Sequence, residues 1–174
     1  MNHWSYSLVN INACEGAVGW CRTQPDLATA WAACERADWM LWLAGRLSGP
    51  AGDPRRITLA LACADCADTV PQSPIGAECL RVLRAWASGE ATIQCVRTAA
   101  YAASPAVSAA AYAAYATYAA YSYAAYAAAY AAAAYANDAA AYADDAWPAA
   151  KTAHLKSMCE IVRRHYPSPP AMGE

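Results

Sequence analysis

An all-α, multi-helix bundle is predicted, and three features of the chain predict it. Apolar residues recur at helical rather than alternating spacing. Proline, glycine and capping residues cut the chain into pieces of helix length. The forty residues from Thr98 to Asn137 carry no charge and are almost wholly alanine and tyrosine, and alanine is the strongest helix former. With 174 residues, the chain is expected as a single domain over 1–174 with a core of its own.

The elements follow in chain order. Asn10 or Asn12 is the expected cap of a first helix through Cys21, ended by Thr23-Gln24-Pro25. Asp26 caps the next, on which Leu27, Ala30, Trp31, Cys34 and Ala37 or Asp38 fall at helical spacing. Trp39 to Leu43 continues in helix to Arg46, and Ser48-Gly49-Pro50-Ala51-Gly52 is a loop. Asp53-Pro54 gives a cap and a first-turn proline for a helix carrying Ile57, Leu59, Leu61, Cys63 and Cys66 before Pro71. A further helix runs from about Pro74 to Ser88, closed by Gly89. Its Leu80, Leu83 and Ala87 share one face, and Glu90 to Ala103 is one more short helix.

Ser104-Pro105 starts the Ala/Tyr helix, and neither glycine nor proline interrupts it before Pro148. Unbroken to Trp147 it would be about 64 Å long, against a diameter near 40 Å for a compact domain of this size. Asn137-Asp138 is the turn-like dipeptide inside it. A break is expected there, leaving a long helix over about 105–136, roughly 48 Å. Residues 167–174 are expected as a flexible tail.

At 100° per residue, Tyr101, Tyr112, Tyr115, Tyr123, Tyr126 and Tyr130 fall within an arc of about 80° of that helix. Two roles are open to the stretch. It is a core helix, with alanine allowing close approach and tyrosine filling the rim, or a binding face. Tyrosine gives much contact area at little side-chain entropy. Tyr112, Tyr115, Tyr123, Tyr126 and Tyr130 are therefore the candidate partner contacts. Asp138, Asp144 and Asp145 are the only charges between Arg97 and Lys151. They keep a helix end wet, or form an acidic patch toward a basic protein partner.

Composition narrows the function classes. A formal net charge of -2 and a pI near 5.9 give nucleic acid nothing to bind, so none is expected. No membrane insertion is expected either, since the uncharged stretch holds Val107 but no leucine, isoleucine or phenylalanine. Twelve tyrosines, seven tryptophans and no phenylalanine mean every ring keeps a polar handle for water or a partner. The N-terminus has no basic region and no apolar run after it, so the protein is expected in the cytoplasm. Its eight cysteines are accordingly expected as reduced, buried thiols.

No catalytic constellation emerges. Cys63-Ala64-Asp65-Cys66 is the one CxxC, and a structural zinc site wants a second ligand pair that the three histidines do not supply. His165 sits in a basic helix end, where the dipole favours it. There is no nucleophile elbow and no phosphate-cradling loop. The expectation is a binding protein rather than an enzyme, without metal or cofactor. Trp31, Trp39 and Trp42 are expected in the core, with Glu35, Arg36 and Asp38 as a charge network at that helix junction.

Ile11-Asn12-Ala13-Cys14 and the run Ala30-Trp31-Ala32-Ala33-Cys34-Glu35-Arg36-Ala37-Asp38-Trp39-Met40-Leu41-Trp42-Leu43 resemble the alanine-rich immunity proteins of bacterial polymorphic toxin systems. Leu61-Ala62-Cys63-Ala64-Asp65-Cys66-Ala67 and the ending Cys159 to Pro167 are similar too. Asp68 stands where that family leads one to expect a basic residue. The resemblance covers roughly 8–97 and 155–170, and the Ala/Tyr stretch shares composition alone. It implies an all-helical fold and a cognate toxin neutralised by direct binding, and it carries over no catalytic residue. The rival readings are a self-assembling protein whose Ala/Tyr helices pack between subunits, giving a homo-oligomer, and an inhibitor from a phage or mobile element.

Overall fold

The computed structural model describes residues 3–49, 53–103, 109–116, 122–140 and 147–172, and among them it is all-α. The helices are α1 (Tyr6–Asn10), α2 (Glu15–Cys21), α3 (Leu27–Ala33), α4 (Ala37–Leu47) and α5 (Pro54–Ala67). α6 (Pro74–Ala87), α7 (Ile93–Ala103), α8 (Ala109–Ala116), α9 (Ser122–Ala140) and α10 (Trp147–His165) follow. None of the described helices is long and apolar enough to cross a membrane.

Most boundaries lie where capping chemistry puts them. Asp26 Oδ1 accepts from Thr29 N at 2.7 Å to open α3, and Asp53 Oδ1 accepts from Arg55 N at 2.9 Å to open α5. Ser73 Oγ accepts from Gly76 N at 3.1 Å to open α6. Pro54 and Pro74 take the first turn, where a missing N–H costs nothing. Gly89, at φ +83°, supplies the left-handed residue that ends α6.

The first helix differs from expectation. Neither Asn10 nor Asn12 is its cap: the chain forms short α1, turns at Asn12 with φ +63°, and starts α2 after Cys14. Asparagine tolerates that left-handed conformation, so it serves the turn instead. The next helix also ends early. Cys34 is extended, and α3 and α4 are joined there at an angle fixed by Arg163, whose Nη2 donates to Cys34 O at 2.5 Å and Trp31 O at 3.2 Å.

The largest correction concerns the Ala/Tyr stretch. It is not one helix over about 105–136, and Asn137-Asp138 does not break it, because α9 runs through both to Ala140. The rings of Tyr112 on α8 and Tyr130 on α9 lie 4.6 Å apart. Eighteen residues of straight helix would separate them by about 27 Å. The chain therefore doubles back, and α8 lies antiparallel to α9, with Tyr115 against Tyr123 and Tyr112 against Tyr126.

Alanine makes this hairpin the middle of the molecule. Ala110, Ala113 and Ala114 of α8 and Ala127, Ala131 and Ala132 of α9 are wholly buried. α9 packs on α4, α5 and α10, and α8 on α5, α6 and α7. A methyl group contributes only about 0.8 kcal/mol on burial, so what the alanines provide is close backbone approach and many dispersion contacts. Larger side chains fill the flanks: Met40, Leu41, Leu59, Leu80, Leu83 and Met158 are buried in the same core. Each contributes on the order of 2 kcal/mol.

Arg56 ties hairpin to bundle. It is 8% exposed, and its Nη1 donates to Ala116 O at 2.9 Å while its Nε donates to Gly49 O at 2.9 Å. The guanidinium thus satisfies a carbonyl in the last turn of α8, which that helix cannot satisfy itself. Residues near the C-terminal end also meet the bundle. Trp31 Nε1 donates to Tyr166 O at 3.0 Å, and Met172 packs against the core. Residues 173–174 lie outside the described residues.

Candidate functional site

Two surfaces stand out, one built of tyrosine and one of tryptophan. The first is the outer face of the hairpin. Tyr112 stacks on Tyr123 and Tyr130 at 5.9 and 4.6 Å, and meets Tyr115 and Tyr126 edge-on at 6.4 and 5.4 Å. Tyr101 joins from α7, edge-on to Tyr115 at 6.3 Å. These are the same six rings that helical arithmetic gathers on one arc. Their grouping has a different cause: three helices contribute, and the hairpin folds α8 onto α9.

The cluster is half in and half out of water. Tyr112, Tyr115 and Tyr123 rest against the core, while Tyr101, Tyr126 and Tyr130 are 67%, 47% and 36% exposed. Alanine thus points into the core, and the tyrosines lie at its rim. The Tyr112 hydroxyl is hydrogen-bonded to Tyr130, which, with some burial and the neighbouring phenols, pushes its pKa up to about 12. The rings hold one another in place, so a partner meeting them would find side chains already ordered. Tyr135 faces elsewhere and stacks on His154 at 4.4 Å. Asp138 is a residue of α9, and Asp144 and Asp145 lie outside the described residues.

The second surface is a cavity of about 330 Å³ between α1, α2, α3 and α4. Trp20, Trp31, Trp39 and Trp42 line it, with the Arg36–Asp38 ion pair among them. Trp31 alone of the expected core tryptophans is buried, at 4% exposure. Trp39 and Trp42 are only partly buried, a correction with a physical cause. The backbones of α1–α3 approach the remaining helices sparsely, and the indoles bridge a gap rather than fill a core. Two of the four stretches singled out in the sequence contribute, through Ala13 and Cys14 and through residues between Ala30 and Leu43. On α2 and its cap, Cys14, Ala17, Trp20 and Cys21 all line the cavity. Their helical spacing marks one face of α2, but spacing alone does not separate a cavity wall from a core face.

The charged residues pair differently from expectation. Arg36 Nε and Nη2 donate to Asp38 at 2.9 and 2.7 Å, but Glu35 leaves that network and pairs with Lys156. Asp68, where a basic residue was expected, accepts from Arg84 at 2.6 Å. Arg84 also reaches Asp65 at 2.9 Å, and His165 Nε2 lies 2.8 Å from the other Asp65 oxygen. Burial works to raise the Asp65 carboxyl, and Arg84 and His165 outweigh it and hold it below the ordinary value. His165 is thus pinned by a carboxylate across the bundle as well as by its helix end.

All eight cysteines are free thiols, and Cys14 and Cys95 are exposed rather than buried. Cys63 and Cys66 are fully buried in α5, and burial pushes both thiols up. That suppresses the thiolate a metal or redox partner needs. Among the described residues no group of three potential ligands converges on a metal position. The chain matches no protein-family model, no curated protein and no solved structure.

Proposed function

We propose that this chain is an immunity-type protein that binds a cognate bacterial toxin directly and blocks it, with the tyrosine face of α7–α9 as the contact surface. The observation that carries the reading is the six-ring cluster, part exposed and locked by its own stacking. Tyrosine anchors in a preordered surface are what protein interfaces use for affinity. The sequence resemblance supplies the partner class. On this reading the protein works in the cytoplasm, where its eight free thiols would stay reduced.

The face carries few charges, so association is expected to depend little on salt. The test is the double variant Tyr115→Ser/Tyr126→Ser, co-expressed with the toxin domain encoded beside the gene. The expected result is unchanged helicity and unchanged subunit mass with loss of protection. Loss of subunit mass with the fold intact would favour self-assembly through this face. Full protection by a folded, monomeric double variant would remove the face from toxin binding.

A further inference from the structure

We infer that the tryptophan-lined cavity between α1, α2, α3 and α4 is a binding site for a small, flat, uncharged aromatic molecule of about two rings that carries a hydrogen-bond acceptor. The site is separate from the tyrosine face and stands whether or not that face binds a toxin.

Size is the first argument. The cavity holds about 330 Å³, and an apolar cavity of about 150 Å³ is known to take benzene. Roughly twice that volume accommodates two fused rings with room to spare. It also falls within the usual range for small-molecule sites, about 300–1,000 Å³.

The walls decide the shape of the occupant. Trp20 and Trp39 stand 6.2 Å apart, tilted by 51°, so each presents aromatic surface without being closed off by the other. Arg36 lies over the Trp39 ring at 4.5 Å and is neutralised by Asp38 at 2.7 Å. A ligand with full charge would have to compete with that pair, whereas a neutral aromatic one stacks beside it.

Unused donors decide the polar group. Arg36 spends Nε and Nη2 on Asp38, and among the described residues Nη1 has no protein acceptor. The indole N–H groups of Trp20 and Trp39 likewise have none among the described residues. Trp31, by contrast, gives its N–H to Tyr166 O. These unpaired guanidinium and indole donors on the lining favour an acceptor on the ligand.

The protein itself carries a reporter and a control. Cys14 is exposed and lines this cavity, and Cys95 is exposed on α7, outside it. The experiment uses the full chain and quinoline, a neutral two-ring acceptor, with 1-octanol as an apolar but non-planar comparator. Calorimetry is expected to give one quinoline per chain with a Kd on the order of 10 µM, weakened about tenfold or more for octanol. Quinoline is expected to slow alkylation of Cys14, read by mass spectrometry, and to leave Cys95 unchanged. Ala17→Phe, which fills the cavity, should abolish binding. If that variant fails to fold, the Cys14 protection in the unmodified protein decides alone. Absence of binding, equal protection of both cysteines, or equal affinity for octanol would overturn the inference.

Discussion

Tyr112 and Tyr130 stack with their centroids 4.6 Å apart, although eighteen positions separate them in the chain. That contact is what turns an alanine-rich stretch into a hairpin with a defined outer face. Offset aromatic pairs contribute about 0.5–1.5 kcal/mol beyond their buried area, and Tyr112 makes several at once. Its hydroxyl adds a hydrogen bond to Tyr130. Tyr112→Phe is expected to cost about 1 kcal/mol in denaturant unfolding, and Tyr112→Ala distinctly more. Equal losses would mean that the rings contribute little and the hydroxyl carries the effect.

Arg56 is the polar link between hairpin and bundle. Arg56→Met keeps most of the buried stem but orphans the carbonyls of Gly49 and Ala116. A loss of about 2 kcal/mol or more is expected. Arg56→Lys should not restore it, because an ammonium cannot span two carbonyls in the fixed fork of a guanidinium. Full rescue by lysine, measured by urea unfolding, would mean charge matters there and geometry does not.

Two glycines should respond in opposite directions. Gly19 lies inside α2, and a Cβ added there meets nothing within 4 Å. Gly19→Ala is expected to stabilise by about 0.5–1 kcal/mol through helix propensity. Gly49 has φ +76°, and its Cβ would fall 2.5 Å from Asp53 Oδ2, the carboxylate that caps α5. Gly49→Ala is expected to destabilise by about 1–2 kcal/mol. Thermal unfolding of the two variants side by side checks both signs.

His154 makes stability depend on pH. Thr69 Oγ1 donates to Cys66 O at 2.6 Å and lies 2.8 Å from His154 Nε2, so the hydroxyl oxygen accepts from an Nε2–H of the ring. Burial lowers its pKa below the ordinary 6.5. The unfolded chain then binds the proton more readily than the folded one. Stability should be level above about pH 6.5 and fall as pH drops from there through the folded-state value. Denaturation midpoints followed from pH 7.5 downward should show that fall, and His154→Gln should flatten it. An unchanged slope in the variant would assign the effect to other groups.

How far the sequence reached is clearest from three places. Caps announced α3 and α5, because Asp26 and Asp53 act on residues two or three positions away and their effect is local, and Pro74 and Gly89 marked the two ends of α6. The hairpin was hidden because alanine favours helix everywhere and marks no end. The fold-back is decided by tertiary contacts such as Arg56 to Ala116 and Tyr112 to Tyr130. The six tyrosines were nonetheless grouped correctly, since an antiparallel partner returns residues of helical spacing to one side. The tryptophan cavity was missed because tryptophan reads as core by burial statistics. Only the sparse packing of α1–α3 against the bundle shows that the indoles of Trp20 and Trp39 border a space.

The hairpin is the claim on which the tyrosine face depends, and one distance tests it. Nuclear Overhauser contacts between the ring protons of Tyr112 and Tyr130 can be sought with tyrosines labelled at those two positions. The account expects a strong cross-peak, matching the 4.6 Å centroid separation. Silence between those rings, with contacts from Tyr112 and Tyr130 only to residues three or four positions away in sequence, would mean a continuous helix with the two about 27 Å apart. That result would contradict the account.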